Sequence, residues 1–225
     1  MENAAISLPF LKHESQLLGR DELGHQQLSP YFFIAGPQTD LEPIFRAPQR
    51  LFFEAGKFAA LKITLEQILT EKPDFTLCMT TAGAYRSHMA YHFSMALNSR
   101  FALLDFKHHN IITCLQETVV NGIVHGNLGI SGHYKTVDSM DAYYIQIEQK
   151  LKLEPYKNRR VTVCAWDYEK HLTLSVTDQG SGFFIPEMQE SNDLPHGRGL
   201  QLVQSLSDVT WLSEDLRTIY MRFNY

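Results

Sequence analysis

Glu117, Asn121 and His125 stand four residues apart in the run Glu117-Thr-Val-Val-Asn121-Gly-Ile-Val-His125-Gly126. On a helix that spacing brings all three side chains to one face. An Asn carbonyl is a hard oxygen ligand of the kind magnesium takes together with waters and nucleotide phosphates. A carboxylate one turn earlier can receive a proton from an attacking hydroxyl or orient a water. His125, one turn later, is placed to reach phosphates. A second run, Asp178-Gln-Gly180-Ser-Gly182-Phe183, comes after a strand-like segment. Its carboxylate accepts hydrogen bonds, which favours the adenine amino group over the guanine carbonyl at the same position. Gly180 and Gly182 let the backbone approach a base and give the next segment a hinge. The third, Gly197-Arg198-Gly199-Leu200, opens a helix whose free amides and dipole seat phosphate oxygens. Arg198 would pair with the terminal phosphate or with an acidic partner surface.

Between the last two runs, residues 184–196 are polar and include Pro186 and Pro195, the composition of a mobile lid. Singly, each run has an ordinary reading: the solvated face of an amphipathic helix, a turn after a strand, a glycine cap before a surface helix. Their order, with a helix under the first and a strand before the second, points to one ATP site.

The elements that must position these groups are read from periodicity. Residues 1 to about 27 lack a clear period and read as an arm. Tyr31–Ala35 reads as a short strand stopped by Gly36-Pro37. From Asp40 to about Lys72 the pattern is mostly helical, with Leu61, Ile63, Leu65, Ile68 and Leu69 as its apolar face. Phe75–Met79 is the next strand. Residues 84–99 form a helix with Tyr85, Met89, Phe93 and Leu97 on one side. A second helix runs from about Lys107 to His125, packs through Ile112, Leu115, Val119 and Ile123, and stops at Gly126 in the left-handed cap position. A third covers 138–154. Arg160–Trp166 and His171–Thr177 alternate as a hairpin. A helix from Leu200 to about Leu206 and a hairpin of Val209–Leu212 with Thr218–Phe223 complete the chain. Runs of strands and helices without strict alternation give an α+β two-layer sandwich.

The composition, 44% hydrophobic and 20% charged over 225 residues, is that of a globular protein with a full core. No apolar run reaches the roughly 20 residues needed to cross a bilayer, and the N-terminus lacks a signal-peptide pattern, so a cytoplasmic protein is expected. A net charge of −5 argues against a nucleic-acid partner. Cys78, Cys114 and Cys164 show no metal-ligand spacing and read as reduced, buried thiols.

The three runs resemble the GHKL (histidine kinase-like) ATPase superfamily. The nearest likeness is to the anti-sigma factor or switch-protein serine kinases, which carry a Glu-x-x-x-Asn-x-x-x-His-Gly box and a Gly-Arg-Gly-Leu box, here 117–126 and 197–200. The resemblance covers residues 74–225 and implies a Bergerat-type fold, a mixed, mostly antiparallel sheet with helices on one face. It leaves 1–73 as an N-terminal extension of unassigned function and 130–160 as an insertion. The pattern Tyr144, Pro155-Tyr156, Arg159-Arg160-Val161 in that insertion is similar to versions of the domain attached to response-regulator receivers. Tyr31 to Met79 is similar to the first half of a receiver, but it lacks the acidic residues that phosphorylation there requires.

By the same resemblance, Glu117 is the general base, Asn121 the magnesium ligand and Asp178 the adenine contact. His125, Gly126, Gly180, Gly182, Gly197, Arg198, Gly199 and Leu200 shape the nucleotide site, and Thr218 lies near the base. Gly122 and Arg217 depart from the family pattern, where alanine and glycine are usual. ATP and Mg2+ are the implied cofactors. The implied activity is a protein serine/threonine kinase acting on a STAS-type anti-sigma-antagonist, with a sigma factor as a further partner and a homodimer as the family's assembly. A nucleotide-gated binding module without catalysis, sequestering a sigma factor or other regulator, is the alternative. His88 and His92 lie four apart, but no acidic residue comes after either, so a histidine-kinase reading is set aside.

Overall fold

The computed structural model describes residues 18–20, 26–28, 31–34, 41, 43–46, 49–54, 68, 70–101, 105–130, 137–182 and 198–225. Two short strands, β1 (Leu18–Arg20) and β2 (Gln26–Leu28), pair antiparallel by themselves, where the sequence reads as an arm. The other strands form one sheet: β3 (Tyr31–Ile34), β4 (Leu51–Glu54), β5 (Phe75–Thr80), β6 (Arg160–Tyr168), β7 (His171–Thr177), β8 (Val209–Leu212) and β9 (Thr218–Asn224). Their order is β3-β4-β5-β6-β7-β9-β8. The first two neighbouring pairs are parallel and the rest antiparallel, so the sheet is mixed and mostly antiparallel. The fold is α+β.

Strand alternation sorts the side chains. Phe75, Leu77 and Met79 on β5, Val161, Val163 and Ala165 on β6, Leu172, Leu174 and Val176 on β7, and Ile219, Met221 and Phe223 on β9 all enter one core. The helical elements that share this core are α1 (Pro43–Arg46), α2 (Thr81–Arg86), α3 (Met89–Arg100), α4 (Asp105–Asn121), α5 (Val137–Lys150) and α6 (Arg198–Leu206). The opposite face is not left bare. Ile68, helical like Thr70 and Glu71, packs there with Phe53, Cys78 and Cys164. The cysteines are free and buried, and burial pushes the Cys164 thiol up to about 12.

Besides the β1–β2 pair, the structure departs from the sequence-based expectation in four further places. Leu51–Glu54 is a strand inside the stretch read as helical; Leu61, Ile63, Leu65 and Leu69 lie outside the described residues. The helix read over 84–99 is two, α2 and α3, separated at His88, which takes a left-handed conformation with φ 51°. On α4 the packing face is Ile111, Cys114, Leu115, Thr118 and Val119, with Ile112 only half-buried. The chain does not stop at Gly126 in a left-handed cap. Gly122–Asn127 widens into a π-helical turn, closed by the Leu128 N–H donating to the Ile123 carbonyl at 2.9 Å, and the left-handed glycine is Gly129 with φ 57°. Such widened turns recur at functional sites.

Candidate functional site

Because Leu172, Leu174 and Val176 point to the helical side, the next residue of that parity past the end of β7, Asp178, does too. It lands beneath the π-turn. A Cβ added at Gly126 would stand 2.4 Å from Asp178 Cγ, and one at Gly180 would stand 2.2 Å from the Gly126 carbonyl oxygen. Both approaches are closer than any side chain permits, so the first two motifs interlock through their glycines. The Gly180 N–H donates to Asp178 Oδ1 at 2.7 Å, and the Asp178 N–H donates to the Arg217 carbonyl at 3.1 Å. Asp178 is 2% exposed. Burial pushes its carboxyl up to about 6, against the Gly180 N–H and the Arg217 and Arg159 guanidiniums, while Asp215 pushes the same way as burial.

The third motif meets the first from the other side. A Cβ on Gly199 would stand 2.7 Å from Glu117 Oε2 and 3.2 Å from Asn121 Nδ2. The start of α6 therefore lies directly against the carboxylate and the amide, both half-buried. Leu200 and Val203 turn into the core behind it. Arg198 begins α6; Gly197 and residues 184–196, read from the sequence as a lid, lie outside the described residues.

Thr218 is buried at the start of β9, and its hydroxyl shares a 2.9 Å hydrogen bond with that of Thr177, the residue before Asp178. Gly182, with φ 97°, sits where a Cβ would come within 3.2 Å of the Asp215 carbonyl, so the chain leaving the site is folded onto the β8–β9 turn. His125 differs from the rest. It is exposed, with Nδ1 2.7 Å from the Ile130 carbonyl oxygen, at the far end of the turn from Glu117.

Sequence reasoning passed over Asn127. It is fully buried at the end of the π-turn. Its amide nitrogen donates to Thr81 Oγ1 at 2.9 Å and to the Arg160 carbonyl at 3.0 Å. Its amide oxygen accepts the Gln179 N–H at 2.7 Å. The carbonyls that end the turn are met by cations: Arg159 Nη1 donates to Asn127 O at 2.5 Å, and Lys150 Nζ to Leu128 O at 2.7 Å. Both cations lie over the Tyr156 ring. The stretch 130–160 thus fastens the C-terminal end of the motif helix, where positive charge is favoured. The only sequence signal was the Tyr156, Arg159 pattern, which carried no hint of this role.

A shallow trough of about 280 Å3 lined by aromatic rings, among them Trp166, Trp211 and Tyr220, belongs to the opposite face of the sheet. Among the described residues no helix is long and apolar enough to cross a membrane. Nor do three or more His, Cys, Asp or Glu residues gather there as a metal site. In comparisons with known proteins, no family model and no curated sequence matches this chain.

Proposed function

We propose that the chain binds ATP with magnesium in a GHKL-type fold and acts as a protein serine/threonine kinase on a STAS-type anti-sigma-antagonist. One observation carries this reading. Three runs far apart in sequence converge, with Asp178 against Gly126 and Gly199 against both Glu117 and Asn121. The carboxylate that would read the base and the groups that would handle the phosphates lie on either side of one helix end.

The residues fit the groups they would hold. Asp178, nearly closed off from water, offers acceptor oxygens that select an adenine amino group. Asn121 would supply one oxygen ligand to magnesium, the remaining ligands coming from phosphates and water, as that ion prefers. Magnesium would neutralise charge building up on the phosphates. The first amides of α6 present a positive dipole end to the same place. Glu117 receives the proton of the partner's serine or threonine hydroxyl as that oxygen bonds to the γ-phosphorus. The bond from that phosphorus to its bridging oxygen breaks, and ADP is the leaving group. Positioning and charge stabilisation supply most of the acceleration.

The test is transfer of label from γ-labelled ATP to a STAS-type partner in the presence of magnesium. Glu117→Ala is expected to lower transfer at least about a hundredfold, the scale of a positioned general base, while leaving nucleotide binding within a few-fold. Product phosphate should be stable to acid. Binding without transfer in the wild type would move the assignment to a nucleotide-gated module.

A further inference from the structure

We propose that Asn127 is the positioning residue that holds the Asp178–Gly180 loop in its nucleotide-reading geometry, with Gln179 as its counterpart. The inference rests on the ATP-site reading and names a residue outside the three motifs.

Asn127 joins three segments distant in sequence: Thr81 at the start of α2, Arg160 at the start of β6 and Gln179 beside Asp178. Each amide hydrogen has its own acceptor and the amide oxygen has its own donor, so the side chain has one arrangement in which it is satisfied. The clamp is reciprocal, because the Gln179 side-chain oxygen accepts the Arg160 N–H at 2.8 Å. Thr81 is anchored in turn, its N–H and hydroxyl both donating to the Arg159 carbonyl at 2.7 and 2.9 Å. Two hydrogen bonds therefore bracket Gln179, one to its backbone and one to its side chain. Asp178 precedes it and Gly180 comes next, so the loop is pinned at the residue between them.

This fastening bears on Asp178. Its burial depends on the loop staying pressed against Gly126. The charged groups that bear on its carboxyl are Arg159, Arg217 and Asp215. Releasing the loop admits water, which lowers the carboxyl toward its ordinary range. A residue that only stabilised the fold would not change that titration.

The experiment is calorimetry with a non-hydrolysable ATP analogue and magnesium, from pH 5 to 8, on wild type, Asn127→Ala, Gln179→Ala and Thr81→Val. Wild-type binding should weaken on the acid side with a midpoint near 6. Asn127→Ala is expected to weaken binding at pH 7.5 about tenfold and to move that midpoint down by about one unit. Gln179→Ala should do the same to a smaller extent. Thr81→Val removes one acceptor of the Asn127 amide while leaving its bonds to Arg160 and Gln179, and should shift both readouts in the same direction by less than Asn127→Ala. Folded Asn127→Ala with wild-type affinity and midpoint overturns the proposal; if that variant does not fold, Asn127→Ser, whose shorter side chain cannot reach all three partners, decides it on the same two readouts. Should wild type bind no nucleotide, the ATP-site reading fails. The clamp is then judged by NMR titration of the Asp178 carboxyl in the free proteins, where an unshifted midpoint in Asn127→Ala refutes it.

Discussion

Asp178 is asked to be both buried and charged. A carboxyl moved from an ordinary value of 3.8 to about 6 carries a cost in its ionised form of about 3 kcal/mol in the folded state. The folded pKa lies above the unfolded one, so the folded protein binds the proton more tightly. The cost is fully present above pH 6 and is relieved as pH falls from about 6 to about 4. Asp178→Asn removes the charge and keeps an oxygen to accept the Gly180 N–H. Urea denaturation at pH 7.5 is expected to show the variant more stable by about 2 kcal/mol, with the difference gone at pH 4. Calorimetry with Mg-ATP at pH 7.5 should show affinity reduced at least about tenfold, because the variant presents donors where the adenine amino group needs an acceptor. Equal stability of the two proteins at both pH values would mean that the carboxylate is not under strain from burial. The same titration is expected to weaken wild-type nucleotide binding below pH 6 while it relieves the cost of burying Asp178 in the free protein.

The π-turn is where an element's geometry serves the site, and two of its glycine contacts predict opposite outcomes. A Cβ at Gly122 would stand 3.5 Å from Asp178 Cβ and 3.8 Å from Val176 Cγ1, ordinary packing distances. Gly122→Ala is therefore expected to stabilise by about 0.5–1 kcal/mol through helix propensity and a less flexible unfolded chain. A Cβ at Gly180 meets the Gly126 carbonyl group, backbone against backbone, at 2.2 and 2.4 Å. Gly180→Ala should cost about 1–3 kcal/mol or more, since neither side can yield without moving Asp178. Thermal denaturation separates them: a rise of about 2 °C for the first and a fall of several degrees for the second. A Gly180→Ala protein as stable as wild type would contradict the close approach. Local and distant causes also divide the features that were legible in the sequence from those that were not. The helix carrying Glu117 and Asn121 was legible because four-residue spacing is a local property. The widening at Gly122–Asn127 was not, because it answers to Asp178, over fifty positions on. Leu51–Glu54 is four residues long, too short for alternation to speak against a helical neighbourhood, and it becomes a strand by pairing with Phe75–Thr80. Asn127 looked like any Asn after a Gly; its meaning lies in Thr81, Arg160 and Gln179, which only the fold assembles.

At the scale of the molecule, β3 and β4 from before residue 74 belong to the same sheet as the strands after it, and Leu41, Ile44 and Phe52 enter the same core. Phe52 is fully buried and pairs in register with Leu77, and Leu41 and Ile44 join the same cluster. Arg100 on α3 reaches across to donate to the Ile44 and Gln49 carbonyls, with its guanidinium over the Phe75 and Phe52 rings. Glu54 closes the join: its carboxylate accepts from the Thr80 N–H at 2.7 Å and hydroxyl at 2.9 Å, and its carbonyl accepts from buried Arg160 at 2.6 Å. Removing residues 1–73 would strip these side chains from the core at about 2–5 kcal/mol for each large one. It would also leave Arg160 without its carbonyl acceptor and open the β5 edge to pairing with other chains. Those losses are as large as the roughly 5–15 kcal/mol that holds a domain folded. A fragment spanning 74–225 is therefore expected to aggregate or to melt without a cooperative transition, whereas 31–225, which keeps β3 and β4, should unfold cooperatively and retain nucleotide affinity. The check is thermal unfolding by circular dichroism with size-exclusion chromatography on both fragments. A monomeric 74–225 that unfolds cooperatively would show that the motif-bearing part stands alone and that β4 merely leans on it.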